Sequence, residues 1–188
     1  VRAAARSRPR AWLVADLPFR SYETAADALA NARRLVAAGA EAVKAEGGRE
    51  ILDQVRAIVA AGIPFLGHLG MLPQHVREEN GYHLKGKSEA ERLKLLADAQ
   101  ALAEAGAFAI VLELVSPRVA QAITRQVPIP TIGIGAGPDC DGQILVTPDL
   151  LGLQPWYQLK HVKPKLNAAA QIQVAIAEWK QDLQRPAG

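Results

Sequence analysis

A (β/α)₈ barrel, an α/β fold built on a parallel sheet, is the class this sequence predicts, and three observations carry the prediction. Short apolar runs alternate with longer amphipathic runs along most of the 188 residues, which is the rhythm of βαβ units. Side chains able to do chemistry recur where successive strand runs end: Asp16, then Lys44 with Glu46, then His68, then Glu113. Barrels gather such groups at the C-terminal ends of their strands. No glycine fingerprint follows the first strand run, which counts against a doubly wound dinucleotide fold.

The first strand run covers residues 11–16 (AWLVAD). A helix follows over 24–38, with Ala28, Leu29, Ala32, Leu35 and Val36 on one stripe and Gly39 in the stop position. Strand 41–46, helix 50–61 and strand 63–68 repeat the unit. The rhythm then breaks into a polar loop over 70–87 carrying Pro73, His75, Gly81, His83 and Gly86. Loops of this length are usually functional or disordered. Ser88 and Glu91 have capping-box spacing for a helix ending near Ala105. Strand 107–113, helix 117–126 and strands 130–134 and 143–147 come next. An amphipathic helix within 166–184 closes the chain, with Ile172, Ile176, Trp179 and Leu183 on one face. About six strands are therefore expected, where a complete barrel has eight and roughly 250 residues. The expectation is one partial barrel domain over 1–188, lacking its first two βα units.

Composition narrows the function classes. Apolar residues make up 49% and charged residues 22%, as in an ordinary globular protein, and no apolar run is long enough to span a membrane. The net charge of +3 is spread among acidic residues, not gathered into the basic patch a nucleic-acid surface needs. Arg2, Arg6, Arg8 and Arg10 precede a short apolar stretch, but Asp16 interrupts it and no small-residue cleavage site follows. The single Cys140 cannot form an internal disulfide, so a reducing cytoplasm is the expected compartment.

Lys44 and Glu46, two apart in a strand, point to one face. Burying both is costly unless they pair or coordinate something, so they read as a structural ion pair or as part of a site. Asp16 suits either a cap on the following turn or a Mg²⁺ ligand, since Mg²⁺ takes a few carboxylates plus waters and substrate oxygens. Glu113 ends an apolar strand and suits a general base, or a salt bridge. His68 is open between metal ligand, oxyanion donor and structural histidine. No nucleophilic triad or Cys/His cluster is present, and the set fits proton abstraction beside a carbonyl polarised by a metal.

Six collinear segments carry a resemblance to the ketopantoate hydroxymethyltransferase family: ADLPFRSYE from Ala15, AVKAEGG from Ala42 and GIPFLGHLGMLPQ from Gly62, then NGYHLKGK from Asn80, EAGAFAIVLE from Glu104 and IPTIGIGAGPDCDGQILV from Ile129. The resemblance implies a barrel of the phosphoenolpyruvate/pyruvate superfamily. It implies transfer of a one-carbon unit from 5,10-methylenetetrahydrofolate to 3-methyl-2-oxobutanoate, giving 2-dehydropantoate for pantothenate and coenzyme A synthesis. By motif position it implies Asp16 and Glu46 as Mg²⁺ ligands, Asp16 and Lys44 as substrate-binding residues, Glu113 as proton acceptor and His68 as an active-site residue. A cytoplasmic homo-oligomer, usually a decamer, is the implied assembly. Leu72 and Ala45 stand where the family usually has Thr and Leu. The family's first strand supplies a further aspartate and a serine that this chain is expected to lack, so the reaction is expected of the complete protein. Two readings compete with it: another Mg²⁺-dependent lyase or mutase acting on a small oxoacid in the same superfamily, and a catalytically inactive subunit.

Overall fold

Alternation of strand runs with capped helices produces a six-stranded sheet in the chain's own order. The computed structural model describes residues 1–156, 159 and 162–184. The strands are β1 (Val14–Asp16), β2 (Ala42–Glu46), β3 (Phe65–Gly70), β4 (Ala109–Glu113), β5 (Thr131–Ile134) and β6 (Gly142–Gln143). Each pairs in parallel with the next. After α1 (Arg2–Arg6), helices α2 (Ala25–Ala37), α3 (Leu52–Ala60), α4 (Glu89–Glu104) and α5 (Pro117–Gln126) each join one strand to its neighbour. The order never reverses, as it must in a doubly wound sheet, and this is barrel winding. Contacts divide the chain into two compact units, Val1–Gln143 with the whole sheet and Ile144–Gly188 with α6 (Thr147–Leu150) and α7 (Ala168–Asp182).

Local chemistry sets the boundaries. The Ser88 hydroxyl accepts from the Glu91 N–H at 3.2 Å while the Glu91 carboxylate accepts from the Ser88 N–H, so the expected capping box opens α4. Thr24 caps α2 through its hydroxyl alone, which accepts from the Asp27 N–H at 3.1 Å. At the first strand the ladder starts later than residue 11, because the Leu13 N–H is donated to the Glu41 carboxylate at 2.9 Å. The expected strand over 143–147 is corrected to Gly142–Gln143. Beyond it Thr147 opens the short α6 with Pro148 in its first turn, a position proline favours.

Successive side chains in β2–β4 point to opposite faces of the sheet. One face packs on the helices: Val43, Ala45, Phe65, Leu69, Ile110 and Leu112 share a core with residues such as Ala28, Val55 and Leu102. The other face begins with a second apolar cluster, Leu66, Ala109, Val111 and Ile134. Two residues further along the same face come His68 after Leu66 and Glu113 after Val111. One strand pair thus carries an apolar layer and, above it, a polar one.

In the second unit α7 is capped by Asn167, whose side chain accepts from the Ala170 N–H. Its Ile172, Ile176 and Trp179, with Leu183 just beyond its end, are each at least half exposed, so their own unit does not cover them.

Candidate active site

Register gathers the polar residues. Asp16 pairs with Lys44, Glu46 with His68, and Gly70 with Glu113. Of the five residues singled out by the sequence, Asp16, Glu46 and Glu113 end β1, β2 and β4, and Lys44 and His68 lie two residues before the ends of β2 and β3. Gly70 is required there. Its φ is +99°, and a Cβ would sit 2.1 Å from the Glu113 carbonyl oxygen, inside any tolerable contact.

Lys44 is the hub. Its ammonium lies 2.6 Å from Asp16 Oδ1 and 3.2 Å from His68 Nδ1. An ammonium only donates, so Nδ1 must accept, and the proton of a neutral imidazole is assigned to Nε2. That Nε2 stands 3.3 Å from Glu113 Oε2 but lacks hydrogen-bond alignment, leaving a buried nitrogen with no hydrogen-bond partner among the described residues. A buried N–H without a partner is costly, and a ligand oxygen placed there would relieve it. Glu113 is mostly buried with its carboxylate still reachable, at 14% side-chain exposure.

Glu46 is buried at 4%. Its Oε2 accepts the Gln74 N–H at 3.0 Å, and its Oε1 faces His68 Nδ1 at 3.9 Å, too far for a hydrogen bond. Burial pushes its carboxyl above the ordinary glutamate range, partly offset by His68, the Gln74 N–H and Lys44. A buried carboxylate with one free oxygen is well suited to a cation. Asp16 offers a second one, its side chain 56% exposed beside Lys44. Among the described residues no group of three or more His, Cys, Asp or Glu is disposed to hold a metal. Two carboxylate donors nevertheless match Mg²⁺, which takes one or two and completes its shell with waters and substrate oxygens.

Three residues in this region escaped the sequence reading. Gln74 belongs to the long loop, which is anchored and not loose: the Met71 N–H donates to the Glu113 carbonyl at 2.7 Å, and Lys85 bridges to Val115. Tyr22 shares its hydroxyl proton between the Glu46 carbonyl at 3.3 Å and Gln74 Oε1 at 3.1 Å. Burial, first, and the Glu46 charge push its phenol up to about 12. Asp98, on α4 and 1% exposed, accepts from the Arg49 N–H and Nε at 3.3 and 3.0 Å. It also pairs with Lys94 at 2.5 Å. Asp98 thereby fixes the turn immediately after Glu46. Gly48 is the residue that lets it approach, since a Cβ there would lie 2.4 Å from the Asp98 carboxyl carbon. Only the charged position of Asp98 within an apolar helical stripe was a visible signal.

A family model described as ketopantoate hydroxymethyltransferase matches residues 1–187. The 3-methyl-2-oxobutanoate hydroxymethyltransferase of Moorella thermoacetica is 50% identical over 186 residues, covering 98% of this chain and 69% of that protein. The enzyme of the same name from Ignicoccus hospitalis is 57% identical over 157 residues, covering 83% and 60%. That of Geobacter metallireducens is 51% identical over 180 residues, covering 95% and 67%. The chain thus spans between 60% and 69% of the length of these three relatives. Among solved structures, a Burkholderia cenocepacia J2315 protein assigned as a phosphonomutase superposes with a TM-score of 0.53 at 17% identity, covering 98% of this chain and 79% of that one. A second from the same organism, assigned as a lyase/mutase, gives 0.51 at 14% identity, covering 93% and 62%. These two show the fold alone, and it is the barrel class expected from the sequence.

Proposed function

The chain belongs to the ketopantoate hydroxymethyltransferase family, one-carbon transferases of pantothenate biosynthesis, and on that premise we propose the role of each strand-end residue in the family's reaction. The reaction is transfer of the one-carbon unit of 5,10-methylenetetrahydrofolate to C3 of 3-methyl-2-oxobutanoate, with water supplying the product hydroxyl of 2-dehydropantoate. The observation that carries the reading is the row Lys44–His68–Glu113 towards the sheet's C-terminal edge, with Lys44 Nζ 3.2 Å from His68 Nδ1 and Glu113 Oε2 3.3 Å from His68 Nε2.

Glu113 takes the C3 proton of the oxoacid onto Oε2, the oxygen that faces the site. Such a positioned base is worth about 10²–10⁴ in rate. Lys44, already holding one carboxylate at 2.6 Å, binds the oxoacid's carboxylate. The His68 Nε2–H, having no partner among the described residues, donates to an oxygen of the substrate, where a preorganised donor in a buried site is most effective. Asp16 and Glu46 are the residues that would hold Mg²⁺, and Asp16 also contacts the substrate. When bound, the ion would polarise the oxoacid carbonyl as a Lewis acid. The family match sets aside the lyase or mutase reading weighed from the sequence.

Small-molecule oxoacid and folate are the proposed partners, with neither nucleic acid nor membrane, and a cytoplasmic homo-oligomer is the proposed assembly. Among the described residues no helix is long and apolar enough to cross a membrane. The test is product formation. With oxoacid, 5,10-methylenetetrahydrofolate and Mg²⁺, mass spectrometry should detect 2-dehydropantoate, and Glu113→Gln should remove it. No product from a folded sample would overturn the proposal for this chain and favour the inactive-subunit reading.

A further inference from the structure

We infer that Gln74 is a positioning residue that holds the two cation-binding carboxylates in register, an inference resting on the roles proposed for Asp16 and Glu46. Gln74 makes three hydrogen bonds, to three separate pieces of the site. Its backbone N–H donates to Glu46 Oε2 at 3.0 Å. Its side-chain amide donates to the Leu17 carbonyl at 3.0 Å, and Leu17 directly follows Asp16. Its Oε1 accepts from the Tyr22 hydroxyl at 3.1 Å, and that hydroxyl also reaches the Glu46 carbonyl at 3.3 Å. One loop residue therefore ties the end of β1, the end of β2 and Tyr22 together.

The geometry divides the labour within the residue. The backbone N–H satisfies one oxygen of Glu46 and leaves Oε1 as the free donor atom. The side chain fixes the loop against Leu17 and so sets where that N–H stands relative to the Asp16 strand end. The short 3-10 turn Pro73–His75 presents the amide in this orientation. Neither role puts Gln74 in contact with a substrate. Groups that orient metal-binding carboxylates in this way matter nearly as much as the ligands, and their loss typically weakens metal affinity by about 10- to 100-fold.

The test is Mn²⁺ binding by the full chain, read as loss of the free-ion electron paramagnetic resonance signal, with circular dichroism and Tm on the same samples. Gln74→Met keeps the length of the side chain and removes both of its polar contacts, while the backbone N–H to Glu46 remains. The expected result is Mn²⁺ binding about 10- to 100-fold weaker than wild type, with the circular dichroism spectrum unchanged. Tyr22→Phe, which deletes one hydroxyl, should give a smaller loss in the same direction. Wild-type affinity in a folded Gln74→Met variant overturns the inference and leaves the proposed function standing. Absence of Mn²⁺ binding by the wild type overturns the metal reading itself, and the inference with it. Should Gln74→Met fail to fold, Tyr22→Phe decides alone: weaker binding supports the inference and wild-type binding overturns it.

Discussion

The two ends of the same three strands have been built for opposite purposes. β2, β3 and β4 begin with Ala42, Phe65 and Ala109, all buried and apolar. They end with, or near, Glu46, His68 and Glu113, which are nearly as buried but carry charge or an unsatisfied nitrogen. The starting ends gain stability by removing apolar area from water. The finishing ends give some of it up, since a buried carboxylate costs free energy unless it is paired. In a parallel barrel this division is general, with stability at the N-terminal face and chemistry at the C-terminal face. Here it is visible within single strands a few residues long.

Substitutions at either end should therefore separate. The largest effect on stability is expected at the starting end: Phe65→Ala should cost about 3–5 kcal/mol, the usual loss for a fully buried aromatic, measured by denaturant unfolding. An effect below 1 kcal/mol would break the contrast. Asp98→Ala should cost about 1–3 kcal/mol by leaving the Arg49 N–H without its acceptor, and it should loosen the turn after Glu46. The unfolding midpoint together with Mn²⁺ affinity reads both effects.

At the finishing end the sign reverses. The folded state raises the Glu46 pKa, burial being the main cause, so Glu46 contributes stability when protonated. That contribution is complete below its unfolded pKa and is lost as pH rises through the folded one. At neutral pH in chelator, Glu46→Gln should accordingly melt at a higher temperature than wild type while binding no Mn²⁺. A lower Tm would show that Glu46 stabilises the fold and is not a cost accepted for function. The smallest effect is at Tyr22. Its phenol is raised to about 12, so its contribution is full below its ordinary value near 10 and fades as pH rises through about 12. In an ultraviolet titration one tyrosine should ionise late, and the late step should vanish in Tyr22→Phe.

The two ends were not equally legible in the sequence. Strand order, the Ser88 capping box and the five polar strand ends could be read because each rests on local pattern: period, spacing and stop residues. The weak points were also physical. A two-residue β6 leaves too little alternation to locate it, and the apolar letters of 143–147 suggested more strand than Pro148 allows. Gln74 and Tyr22 were invisible because their partners lie 24 to 57 residues away in the chain, and no periodicity encodes contacts made by a long loop. The Lys44–His68 bond, which assigns the imidazole tautomer, is likewise a product of register. Sequence could place both residues at strand ends but not at 3.2 Å.

Proton abstraction from the oxoacid is the step proposed for the finishing ends of β1–β4. Deuterium exchange at C3 of 3-methyl-2-oxobutanoate, followed by NMR in deuterated buffer with Mg²⁺ and again with chelator, tests it most directly because it needs no folate. The predicted result is exchange that depends on Mg²⁺ and falls by about 10²–10⁴ in Glu113→Gln, with Phe65 and the starting ends untouched. Exchange at the wild-type rate in folded Glu113→Gln, or none from the folded wild type, would contradict it.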